Sequence, residues 1–104
     1  MPRPIIATIF TDAIAHNIKR AHQTSGAKVW ATIKANAYGH GIERIFSGLQ
    51  GADGLAMLDF AEAQLVRDLG WDKPVLMLEG GFEVADYKLA ERLNLTMVIH
   101  CIEQ

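Results

Sequence analysis

The chain has 104 residues, half of them hydrophobic and about a fifth charged, which suits one small globular domain with a core of its own. Its net charge of −2 provides no basic field for nucleic acid or an anionic membrane surface. The single cysteine, Cys101, excludes an internal disulfide and suits a reducing compartment.

No apolar run approaches the roughly 20 residues that span a bilayer. The opening Met1-Pro2-Arg3-Pro4 leads into an apolar stretch too short for a secretory core. The cytoplasm is the expected location. Ile5 to Phe10, preceded by Pro4 and rich in β-branched residues, reads as a strand. Thr11 or Asp12 can cap a helix through a side-chain oxygen. Ile14, Ile18 and Ala21 then share one helical face. That helix is expected to end near Gln23, with Gly26 in a left-handed position behind it. His16 and Asn17 lie within it, and His16 reads as a solvated helix histidine.

Lys28 to Ile33 is apolar on both faces, the pattern of a strand covered on both sides in a parallel sheet. Ile42, Ile45, Phe46 and Leu49 predict a helix from about Gly41 to Leu49. Asp53-Gly54 is a turn signal, and Leu55 to Leu58 a short buried strand. Asp59 can cap the next helix, Phe60 to Leu69, with Glu62 three residues later in the arrangement of a capping box. Gly70 stops it. Pro74 opens a strand over Val75 to Leu78, which Gly80-Gly81 ends. A helix from about Glu83 to Leu93 follows, with Asn94 suited to a left-handed cap. Leu95 to Ile99 is the last strand, and His100 to Gln104 reads as the opening of another helix. Alternating strands and helices imply helical crossovers, parallel pairing and an α/β architecture.

The chemistry concentrates in Lys34-Ala35-Asn36-Ala37-Tyr38-Gly39-His40-Gly41. Here a lysine follows directly on a buried strand. Such a lysine can snorkel its charge to water. It can also be there for its amine, since burial favours the neutral form and a neutral amine attacks carbonyls to form a Schiff base. With period two, Trp30, Thr32 and Lys34 share one face of the strand. His40 can order the loop through hydrogen bonds. Asp59 and Glu62 read as helix-start residues, and His100-Cys101 falls far short of a metal site.

The run KANAYGHG resembles the cofactor-lysine motif of the alanine racemases. Arg3-Pro4, His16-Asn17, Ala52-Asp53-Gly54, Leu78-Glu79-Gly80 and Glu103-Gln104 agree with the same family. At Phe10 the chain departs from the family pattern, which has an acidic residue after the first strand; here the acid comes later, as Asp12. The resemblance implies the first half of a (β/α)8 TIM-type barrel, with one strand and helix ahead of barrel strands one to four. It implies pyridoxal 5'-phosphate as cofactor, with Lys34 as the Schiff-base lysine and one of two catalytic bases, and with Tyr38 at the cofactor phosphate. The implied substrate is alanine, interconverted between its L and D forms, the D form feeding peptidoglycan. A homodimer is implied, with the second base, a tyrosine, on a carboxyl-terminal β domain of the partner subunit. These 104 residues alone are therefore expected to be inactive. No metal, nucleic acid or membrane partner is expected. The competing readings are a non-catalytic binder of pyridoxal phosphate on a barrel and an inactive racemase fragment.

Overall fold

A computed structural model describes residues 3–104. The first element is α1 (Thr11–Ser25). Its apolar face buries Ile18, and Gly26, at φ +65°, turns the chain out of it while donating its N–H to the His22 carbonyl at 2.9 Å. The cap differs from the expected one. Phe10 is the N-cap and bonds through no side chain, while Asp12 lies in the first turn, where a negative charge complements the helix dipole. The helix also runs past Gln23, because the Ser25 hydroxyl donates to the Ala21 carbonyl at 2.7 Å and completes the last turn.

Ile5 to Phe10 is not a strand. Its β-branched residues favour extended backbone, but a strand needs a partner ladder, and none of the described strands pairs with it. Ile5 and Ile6 stand 76% and 87% exposed.

Four strands follow: β1 (Trp30–Thr32), β2 (Gly54–Met57), β3 (Val75–Met77) and β4 (Thr96–Met97). All neighbours are parallel, in the order β1-β2-β3-β4. Thr32, Ala56, Leu76 and Thr96 lie in register across the sheet, so they share a face. The residues of the other face, Leu55, Met57, Val75 and Met77, are wholly buried under the helices. Strand order never reverses, and right-handed crossovers then put every helix on one side. A doubly wound sheet would reverse at a switch point. The chain is the first half of a (β/α)8-type barrel.

Between β1 and β2 run a helical turn, α2 (Lys34–Tyr38), then α3 (Ile42–Ile45), which tightens into a 3₁₀ turn over Phe46–Leu49. The periodic pattern thus buries Ile42, Ile45 and Leu49 as expected, although the second half is not α-helical. Gly48 accounts for the close fit here. A Cβ on it would stand 2.6 Å from the Thr11 carbonyl oxygen and 3.1 Å from Ile14 Cβ. Both belong to α1, so relief requires the helix to move. Gly48→Ala should lower stability by about 1–3 kcal/mol, read as a lower urea midpoint at unchanged m-value.

The Asp53 carboxylate accepts the Val29 N–H at 2.7 Å and fixes the turn into β2. Asp59 caps α4 (Phe60–Asp68), accepting the Ala61 N–H at 2.7 Å. Glu62 does not reach back to complete the expected capping box; its carboxylate goes elsewhere, as described below. A reciprocal acid cap occurs instead on α5 (Val84–Leu93), where Asp86 accepts the N–H groups of Phe82 and Glu83 at 2.8 and 3.0 Å. Asn94 takes the left-handed cap at φ +54°. His100 to Gln104 forms a turn. Among the described residues, no helix is long and apolar enough to cross a membrane.

Candidate functional site

Parallel strands bring all their carboxyl ends to one edge of the sheet. Lys34 follows β1 there, Leu58-Asp59 follows β2, and Leu78-Glu79 follows β3. In barrels of this kind the loops at that edge carry the chemistry. Ile33 anchors the approach. It is 2% exposed, packs into the core, and donates its N–H to the Ala56 carbonyl at 2.9 Å.

Directly after Lys34 the backbone changes hand. Ala35, Asn36, Ala37 and Tyr38 have φ of 52°, 52°, 56° and 57°. Four successive residues with side chains thus wind a left-handed turn where the sequence suggests an ordinary glycine loop. Each such residue costs roughly 1–2 kcal/mol relative to the right-handed form, so the neighbourhood must supply several kcal/mol in return. Ala37 contributes by burial, at 4% exposure. Gly39 and Gly41, at φ +91° and +93°, carry the chain out.

Asn36 is the hub of the hydrogen bonds. Its carbonyl accepts the Gly41 N–H at 3.0 Å, its Oδ1 accepts the Ile42 N–H at 2.9 Å, and its own N–H donates to Glu62 Oε1 at 2.7 Å. His40 orders the loop as expected, with Nδ1 3.1 Å from the Ala37 carbonyl. Asn36 and Glu62 are the residues that sequence reasoning missed. Glu62 carried a signal, an acid at the start of a helix, but a local motif absorbed it.

Lys34 is half-buried, and no described residue forms an ion pair or hydrogen bond with its amine. Lys73 shows the contrast: its amine donates to the Gln50 and Ala52 carbonyls at 2.6 and 3.0 Å and lies 5.0 Å from the Trp71 ring. One lysine is consumed by structure, and the other has no partner among the described residues. Tyr38 is 59% exposed, and its hydroxyl has no partner among the described residues. Thr32 is exposed and Leu78 half-buried.

A cleft of about 350 Å³ opens beside the unpaired edge of β1, with Asn17, Thr32, Tyr38 and His40 among largely apolar walls; Lys34 does not line it. Tyr38 therefore borders both this cleft and the lysine loop. Among the described residues, no group of three or more His, Cys, Asp or Glu could hold a metal. The chemical resource of the site is an amine just past the end of β1 and, four residues on, a phenol, neither with a hydrogen-bond partner among the described residues.

Known proteins share this sequence and fold. The family model described as alanine racemase, N-terminal domain, matches residues 9–104. An alanine racemase from Leptothrix cholodnii is 62% identical over 105 aligned residues, and one from Variovorax paradoxus 58%. Both matches take in all of this chain but only 28% and 29% of those proteins. Among solved structures, the biosynthetic alanine racemase of Pseudomonas aeruginosa superposes with a TM-score of 0.91 at 41% identity, over 99% of this chain and 29% of that one. The chain thus spans under a third of the length of these relatives.

Proposed function

Because this chain belongs to the alanine racemase N-terminal domain family, we propose that the protein carrying it interconverts L- and D-alanine with pyridoxal phosphate held on Lys34. The observation that carries the proposal is the free amine of Lys34 at the carboxyl edge of the sheet, inside the KANAYGHG motif.

The residues fit this cofactor. An aldehyde needs an amine that no carboxylate or carbonyl has claimed, and Lys34 offers one. A phosphate needs donors, and the unpartnered hydroxyl of Tyr38 is one. When bound, the cofactor supplies an electron sink that stabilises negative charge on the substrate Cα. Lys34 would hold the cofactor aldehyde through its amine, and the same amine would accept or return the Cα proton on one face of the substrate. Tyr38 would donate its hydroxyl to the cofactor phosphate. The left-handed turn holds both residues on one short, stiff segment, which keeps this geometry in place before substrate arrives.

Inversion needs a second acid–base group on the opposite face. Tyr38 serves the phosphate and Tyr87 donates to the Gly81 carbonyl at 3.2 Å. The resemblance to the alanine racemases implies that the second group is a tyrosine on the carboxyl-terminal β domain of the partner subunit in a homodimer. The reading extends to a cytoplasmic enzyme supplying D-alanine for peptidoglycan.

Cofactor trapping tests it. Purified protein mixed with pyridoxal phosphate, reduced with borohydride and digested should carry the pyridoxyl group on Lys34 in preference to Lys19, Lys28, Lys73 and Lys88. Labelling spread over all five, with no preference for Lys34, would sink the proposal. Selective labelling without racemisation by the intact protein would point to a non-catalytic cofactor binder.

A further inference from the structure

Among the described residues, one hydrogen bond to the left-handed turn after Lys34 comes from a distant part of the chain. Asn36 donates its N–H to Glu62 Oε1 at 2.7 Å, across 26 residues of sequence. Glu62 stands in the first turn of α4, so the bond ties the loop after β1 to the helix after β2. The other carboxylate oxygen, Oε2, is buried and has no hydrogen-bond partner. No described cation lies within ion-pairing distance of Glu62 either. Asn36 is thus the only described group that bonds this carboxylate.

A half-buried carboxylate with a single donor is an unfavourable arrangement by itself. Helix capping would have used it at less cost, and Asp59 already stands at the position that a capping box requires. The carboxylate is instead turned toward the backbone of the strained segment. Hydrogen bonds to an ionised acceptor are short and about twice as strong as neutral ones. One placed on the second residue of a left-handed turn opposes the relaxation of that turn to the right-handed form.

We propose that Glu62 is a positioning residue for Lys34, holding the left-handed turn that fixes the lysine amine at the carboxyl edge of the sheet. Glu62 acts through the Asn36 N–H and does not touch the reacting atoms. The proposal rests on the reading of Lys34 as the cofactor lysine, and its test separates the two.

The test compares the intact protein with its Glu62→Ala, Glu62→Gln and Glu43→Ala variants. Glu43 is an exposed acid on the neighbouring α3 and serves as a control. The first readout is amide hydrogen exchange without cofactor. In Glu62→Ala, the peptide spanning residues 34–41 should exchange about ten- to a hundredfold faster, the factor that a hydrogen bond to a charged group is worth. Exchange in the sheet and α5 should stay unchanged. Glu62→Gln keeps an acceptor at Oε1 and should restore most of the protection. Glu43→Ala should match the parent.

The second readout is borohydride trapping at limiting pyridoxal phosphate. Lys34 labelling should fall about tenfold or more in Glu62→Ala and recover in Glu62→Gln. Parent-like exchange at 34–41 in Glu62→Ala would overturn the proposal. So would faster exchange throughout the protein, because Glu62 would then be a general structural residue. Faster exchange at 34–41 with parent-like trapping would also overturn it, since the turn would not govern the lysine. If the parent itself fails to label Lys34, the cofactor reading fails, and localised exchange with rescue by Gln would still assign Glu62 to the turn.

Discussion

Lys34→Ala in the intact protein should reduce alanine racemisation by roughly a thousandfold or more, while its urea midpoint stays within the change expected of a surface substitution, about 0.5 kcal/mol. The amine is assigned two tasks, holding the cofactor and exchanging the Cα proton on one face. A positioned base alone is worth about a hundred- to ten-thousandfold, and loss of the covalent anchor comes on top. Stability should hardly change because the Lys34 amine has no described partner and its stem is only half-buried. D-Alanine formation by a coupled assay, with urea unfolding alongside, checks both halves. A variant within tenfold of parent activity would remove Lys34 from the mechanism. A large loss of stability would mean that the lysine is structural.

Arg67→Ala should be among the most destabilising single changes in this chain, at about 2–4 kcal/mol. Its guanidinium donates to four carbonyls: Leu93 at 2.9 Å, Trp71 and Lys73 at 2.7 Å each, and Asn94 at 3.0 Å. These lie at the end of α5 and in the loop into β3, so one side chain joins two successive strand–helix units. Burial pushes the Arg67 pKa below its ordinary value, and Asp72 opposes that shift; the group remains charged at any pH the fold survives. Truncation leaves the C-terminal carbonyls of α5 without their donor. Arg67→Lys should recover only part of the loss, because an ammonium cannot present the planar fork that meets four acceptors. Urea unfolding of the three proteins gives the order parent, Lys, Ala; equal midpoints for parent and Ala would show that water replaces the fork at no cost.

The alternation of elements was legible because it rests on periodicity and on terminal residues with local chemistry. Asp59, Gly26 and Asn94 each act within a few residues of themselves and end or begin their helices as their types dictate. Ile5 to Phe10 misled because β-propensity reports a fit to a pleated surface and not the presence of a neighbour. Lys34 became a proposed site residue as a polar residue closing an apolar strand, and Tyr38 through the family motif. The reversal of hand at Ala35 to Tyr38 was not, since alanine and tyrosine carry no preference for that region. Glu62 was misassigned because the spacing to Asp59 satisfies a common local pattern, while its actual partner lies 26 residues away. Local rules fail here at the segment proposed to bear the chemistry, where local preference and tertiary demand are expected to disagree.

The left-handed turn also has a consequence for the order in which the molecule comes together. As the chain leaves β1, Ala35 to Tyr38 can relax into a right-handed conformation that is lower in energy by several kcal/mol, summed over four residues. The carboxylate that opposes this relaxation lies on α4 and reaches the turn only when β2 and α4 have docked. Until then nothing distant holds the mirror-image winding. The scaffold is therefore expected to condense first and the lysine loop to change hand late, so that loop protection in pulsed hydrogen exchange should appear after protection of the sheet.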